Sequence, residues 1–164
     1  MKAFHILILF IISNLSLNGQ TNTQLINSSD GYKNIYETLS TYIQIKSESG
    51  KEKNAGLYFR NLCEANRLNI YPMGETDGNF NFAASLFPLE SKKPNIILLN
   101  HIDTVSEGPL EKWQYSPYSG EITDKDVWGR GAFDNKGAAV IQLFSLLNIK
   151  ETIGNFTAKY NITL

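Results

Sequence analysis

The chain has 164 residues, of which 42% are hydrophobic, 12% aromatic and 19% charged, with 15 Lys and Arg against 16 Asp and Glu. That length supports one medium domain with a real core, and the composition excludes a disordered chain. A formal net charge of −1 removes any electrostatic case for a nucleic-acid partner.

The amino terminus is read first. Lys2 gives a positive start, residues 3–12 are apolar apart from His5, and residues 14–20 turn polar. So short a run cannot span about 30 Å of hydrocarbon at ~1.5 Å per residue. It fits a signal peptide over residues 1–19, cleaved after Gly19, although Leu17 stands where a small residue is preferred. A membrane anchor or a buried helix is the alternative. Under the signal reading the mature protein is secreted or periplasmic and keeps no stable membrane insertion. A polar leader follows over 20–32, and His101 is then the one histidine left. The lone Cys63 has no intrachain partner for a disulfide and reads as a small buried hydrophobe on a helix face.

Ile35, Leu39, Tyr42 and Ile43 recur at helical spacing, and residues 47–50 break that helix. Ser49 and Glu52 have the spacing of a capping box opening a second helix, whose face is Ala55, Phe59, Leu62 and Cys63 and which fades near Asn66. Residues 68–73 read as a strand, 74–78 as a Gly- and Asp-rich turn, and Phe80, Phe82 and Ala84 as a second, alternating strand. After a loop over 88–94, the consecutive apolar residues Ile96 to Leu99 suit a strand buried on both faces of a parallel sheet. Residues 101–120 are irregular. Residues 121–123 and 127–129 form a short hairpin, and 129–137 a tight turn. Residues 136–147 form a helix apolar nearly all round, expected to pack on a sheet with little exposed face. Residues 157–164 read as a final strand with Tyr160, Ile162 and Leu164 alternating. This order predicts an α/β layered fold.

Two clusters carry chemistry. Asn100-His101-Ile102-Asp103-Thr104-Val105 directly follows the apolar strand, where open α/β sheets place ligands. In extended backbone, His101 and Asp103 point to the same side. Imidazole is a good zinc ligand, and a nearby carboxylate can accept its other ring N–H and fix the tautomer. The competing reading is a solvated polar loop. The second cluster is Gly129-Arg130-Gly131-Ala132-Phe133-Asp134-Asn135-Lys136-Gly137. It lacks the phosphate-loop pattern. Asp134 is either an ordinary helix N-cap or a metal-bridging carboxylate. Arg130 is read as bracing the turn, with a substrate carboxylate as its other possible partner.

Together the two clusters, 33 residues apart at His101 and Asp134, resemble the zinc exopeptidase and deacylase family that includes acetylornithine deacetylase, succinyl-diaminopimelate desuccinylase, aminoacylase and glutamate carboxypeptidase. Trp113, Pro117 to Gly120 and Trp128-Gly129 are similar to the family's intervening segment, with Tyr118 where the family usually has Phe. Ser47 to Glu52 is similar to its Ser-x-x-Gly-x-Glu stretch. The resemblance covers about residues 33–164. It implies the N-terminal part of a three-layer, mixed-sheet catalytic domain over 33–164, incomplete and without the lid or dimerisation domain. It implies two zinc ions, replaceable by cobalt or manganese. His101 would be a terminal ligand of one, Asp134 a bridge between them, and Asp103 a catalytic residue orienting His101. The Asp134–Asn135 peptide would be cis. The substrate would be a small peptide or N-acyl amino acid cleaved at an amide bond. The family's following Glu-Glu pair, its later ligands and its lid are not in this sequence. The chain is therefore expected to be a truncated and nearly inert part of a hydrolase; the alternative is a non-catalytic remnant or binding module. Oligomeric state stays open.

Overall fold

The computed structural model describes residues 29–74, 80–154 and 158–164. The expected signal over 1–19, most of the leader, residues 75–78 of the expected turn and Thr157 lie outside the described residues. Helix α1 spans Ser29–Gln44 and so begins within the expected leader. It turns Leu39, Tyr42 and Ile43 fully inward, as their spacing predicts. Helix α2, Lys53–Ala65, buries Ala55, Phe59 and Cys63 one turn apart. Burial pushes the Cys63 thiol up to about 12, so it is inert packing rather than a nucleophile. Tyr42 and Phe59 stack at 5.3 Å and join the two helices.

The expected capping box at α2 does not form. Glu52 stands at the N-cap with helical backbone and makes no side-chain cap. Ser49 Oγ instead donates to Asp103 Oδ2, and Glu52 Oε1 accepts from the Gly50 N–H. A long-range carboxylate has outcompeted the local backbone for the Ser49 hydroxyl.

Strands β1 (Asn69–Pro72), β2 (Phe82–Ser85), β3 (Asn95–Ile97) and β6 (Asn161–Thr163) form one mixed sheet in the order β1-β2-β6-β3. β1 and β6 run antiparallel to β2, and β3 runs parallel to β6. This is the α/β mixed-sheet architecture expected from the sequence. Strands β4 (Glu121–Ile122) and β5 (Val127–Trp128) form the expected hairpin. Helix α3, Gly137–Ile153, runs further than its apolar pattern suggested, and it packs chiefly against α1 rather than on the sheet.

One strand expectation is corrected and another extended. β3 is parallel, but it is an edge strand: Ile96 is 49%, Ile97 67% and Leu99 87% exposed. Apolar runs report a capacity for burial, and among the described residues nothing flanks β3 beyond β6. At β6 the alternating Ile162 and Leu164 pack against the core as expected, and the polar positions beside them are buried as well. Asn161 is buried because its side chain accepts from Phe87 N–H and donates to Phe87 O, and Thr163 is buried against Asn95. Ile162 and Leu164 are half-buried. No helix among the described residues is long and apolar enough to cross a membrane.

Candidate metal centre

The end of α1 organises the site. Beyond Gln44 the chain passes through residues 45–52, and this segment lies alongside 102–104 as an added strand. Glu48 and Thr104 form an isolated parallel bridge. Thr104 N–H donates to Ser47 O at 2.7 Å, and Ser47 Oγ donates to Ile102 O at 3.0 Å. These bonds hold the His101 loop extended, so His101 and Asp103 share a side.

His101 Nδ1 lies 2.9 Å from Asp103 O and 3.2 Å from Asp103 Oδ1. Both are acceptors, so Nδ1 carries the hydrogen. On the opposite edge of the ring, Nε2 lies 2.8 Å from Asp134 Oδ1. An ionised carboxylate accepts and does not donate. A neutral imidazole therefore cannot satisfy both contacts. With Nδ1–H turned to Asp103, Nε2 is the nitrogen that faces the Asp134 carboxylate. The His101 pKa is raised: burial opposes the charged ring, but the Asp134 hydrogen bond, the Asp103 carbonyl and both carboxylate charges outweigh it. Asp103 is held below the usual carboxylate range, first by the Ser49 hydroxyl, with burial opposing and His101 adding to the effect.

The turn carrying Asp134 is built differently. Gly129 has φ +153, and a Cβ there would meet Ile43 Cγ2 at 2.3 Å and Pro117 O at 2.9 Å. Gly131 has φ +81 and lies against Thr104, which brings the turn close to the His101 loop. Residues 132–136 kink at Asp134 and Asn135, and the peptide between them is cis, as the family resemblance implied. Lys136 is 1% exposed. Its ammonium donates to Tyr42 O at 2.9 Å and Ile45 O at 2.6 Å and sits over the Tyr42 ring. Burial pulls its pKa down to about 8, which leaves it mostly charged at neutral pH. A cation at the C-terminal end of α1 also complements the helix dipole.

Asp134 is not an N-cap. The N-cap position of α3 is Lys136, which makes no side-chain cap, and the Asp134 carboxylate, with the side chain 76% exposed, points to His101. Arg130 braces the turn as expected: its guanidinium donates to Glu107 O at 3.2 Å and stacks on Trp113. Glu107 is a hub that the sequence did not reveal. Its carboxylate accepts from Lys46 and Tyr118, and its carbonyl accepts from Trp113 Nε1. Ser49 and Lys136 were likewise missed in these roles, because hydroxyls and lysines are common and their partners lie 54 and more than 90 residues away.

The structure thus brings His101, Asp103 and Asp134 together. One imidazole nitrogen and one carboxylate oxygen converging on a point suit a divalent transition metal. Among the described residues no group of three or more His, Cys, Asp or Glu side chains is placed to hold an ion. A cavity of about 790 Å³ opens beside the pair, lined in part by Ser49, Asn100, His101 and Asp103 and by the apolar residues Phe82 and Leu99.

Comparisons with known proteins find relatives for this segment. Residues 97–164, which contain both clusters, match the model for peptidase family M20/M25/M40. The chain is 41% identical over 66 residues to a succinyl-diaminopimelate desuccinylase of Ehrlichia ruminantium, a span of 39% of this chain and 17% of that protein. It is 47% identical over 57 residues to a probable carboxypeptidase S-like 2 of Dictyostelium discoideum, covering 35% of this chain and 11% of that one. The chain therefore matches less than a fifth of the length of either relative. In fold it is similar to the M20 family metallo-carboxypeptidase Sso-CP2 of Sulfolobus solfataricus, with a TM-score of 0.62 and 23% identity over 81% of this chain and 29% of that one. The segment 97–164 is thus similar to peptidase family M20/M25/M40.

Proposed function

We propose that His101 and Asp134 are ligands of a zinc centre in a hydrolase that cleaves amide bonds of small peptides or N-acyl amino acids, in the manner of an exopeptidase or deacylase. The observation that carries this reading is the doubly accepting surroundings of His101, with Nδ1 against Asp103 and Nε2 against Asp134. A bound zinc polarises an amide carbonyl and makes water nucleophilic near neutral pH. The chain's own residues prepare for it. Asp103 keeps the hydrogen on Nδ1 and leaves the Nε2 lone pair for the ion. Glycines and Lys136 set the turn that presents the Asp134 carboxylate, whose 76% exposure leaves room for a second ion. Cobalt or manganese suits the same donors.

Catalytic zinc takes about three protein ligands and an open position. With two candidate ligands side by side here, we infer that this chain alone holds a cation weakly and hydrolyses no substrate. The absence of a three-ligand group among the described residues also favours a second reading, a binding module with a vestigial site. The apolar run over 3–12 supports export, so the protein is assigned to the periplasm or the exterior.

Calorimetric titration of the chain with zinc tests the ligand assignment. Weak binding is expected, lost in His101→Ala and in Asp134→Ala. Unchanged binding in both variants would overturn it. Hydrolysis of dipeptides or N-acyl amino acids by the chain alone would overturn the inferred inactivity.

A further inference from the structure

We propose that Ser49 is a positioning residue for the metal centre: its hydroxyl fixes the Asp103 carboxylate, which fixes the His101 ring. This rests on the zinc reading above. Ser49 Oγ donates to Asp103 Oδ2 at 2.6 Å, and Asp103 Oδ1 faces His101 Nδ1 at 3.2 Å, a second acceptor beside the Asp103 carbonyl at 2.9 Å. The two carboxylate oxygens are thus divided between two donors, and Asp103 cannot rotate about its terminal bond without losing one of them. His101 Nε2 then faces Asp134. The result is a continuous chain from Ser49 through Asp103 and His101 to Asp134.

Ser49 is itself held. Lys51 N–H donates to Glu48 O at 2.8 Å, closing the turn, and the buried Glu52 accepts from Gly50 N–H at 2.6 Å. On the other side, the bonds of Ser47 and Thr104 clamp the segment to the His101 loop. A serine at this place can adopt its bonding rotamer with little entropic penalty, because backbone and neighbours are already fixed. Ser49 is solvent-exposed, and a fold-stabilising role is poorly served by an exposed hydroxyl. Its one side-chain bond goes to the residue that orients the metal ligand.

The test compares Ser49→Ala and Ser49→Thr with wild type in the full chain, by zinc titration, urea denaturation and 15N signals of the His101 ring in metal-free protein at a pH where the ring is neutral. Ser49→Ala is expected to weaken zinc binding about tenfold, the lower end for losses in the shell around metal ligands, with an unchanged urea midpoint. Its ring signals shift toward the Nε2–H tautomer. Ser49→Thr, which keeps the hydroxyl, is expected to retain wild-type values. Wild-type zinc affinity in Ser49→Ala, alongside loss in His101→Ala, would overturn the positioning role and leave the zinc reading standing. If His101→Ala and Asp134→Ala both bind zinc normally, the zinc reading fails. The ring signals then decide the Ser49 role by themselves, and an unchanged tautomer in Ser49→Ala overturns it.

Discussion

The loop that carries His101 and the turn that carries Asp134 are both fastened to the C-terminal end of α1, but with different chemistry. The His101 loop is held at the rim by backbone bonds to residues 47–48 and by the exposed Ser49–Asp103 contact. The Asp134 turn is held from inside, by glycines pressed against Ile43 and Thr104 and by a buried ammonium on Tyr42 O and Ile45 O. A rim network orients a side chain without contributing much to the core. An internal anchor does both at once, since its removal takes a charged donor from Tyr42 O, which keeps only the Ile45 N–H at 3.3 Å, and from Ile45 O. One ligand should therefore be separable from global stability, and the other should not.

Lys136→Met is the severest test of that difference. It strips two carbonyls of charge-assisted donors, each bond worth about 1.5–3 kcal/mol, so a loss of about 3–6 kcal/mol is expected in urea denaturation, together with weakened zinc binding. Gly129→Ala comes next. Its Cβ would run into Ile43, which is fully buried, and into the Pro117 carbonyl, and overpacking with a left-handed φ costs about 2–3 kcal/mol. Asp103→Ala is the counterpart on the rim: zinc affinity should fall about 10–100-fold, with a urea midpoint within error of wild type. If Asp103→Ala destabilises the fold as much as Lys136→Met does, the distinction between the two arms is wrong.

The smallest expected effect is a pH dependence at the hub between the arms. The Glu107 carboxyl is pulled down to about 2 by its own backbone N–H and by Lys46, with Tyr118 assisting and burial opposing. Because the folded value lies below the unfolded one, its contribution is fully present above the ordinary carboxylate range of about 4.3. It is lost as pH falls from there toward 2. The difference in urea midpoint between wild type and Glu107→Gln should be constant from pH 7 to about 5 and shrink below that. A difference that grows on acidification would show that Glu107 is not held as a carboxylate.

Much of this molecule was legible before any coordinates. Periodicity located α1, α2 and α3, because an amphipathic or fully apolar repeat is a direct record of burial. The two clusters, with their spacing and resemblance, pointed to His101, Asp103 and Asp134, and the fold does bring them within hydrogen-bond reach. Less legible was what each polar side chain bonds to. Ser49 with Glu52 carried a valid local capping signal, yet Asp103 took the hydroxyl. Alternation marked Ile162 and Leu164, which do pack on the core, but gave no sign that Asn161 and Thr163 are buried as well, since their partners on residues 87 and 95 cannot be inferred from it.

By itself, the sequence determined where helices and strands lie, which residues carry ligand-type side chains, and that a glycine-rich turn precedes α3. These are properties of short stretches, set by side-chain chemistry and backbone freedom. Only the tertiary structure decided that α1's end anchors both arms, that Ser49 serves Asp103, that Lys136 is buried, and that β3 is an exposed edge. Those outcomes depend on which groups distant in the chain meet, and a hydrogen-bonding side chain carries no mark of its partner until the fold supplies one.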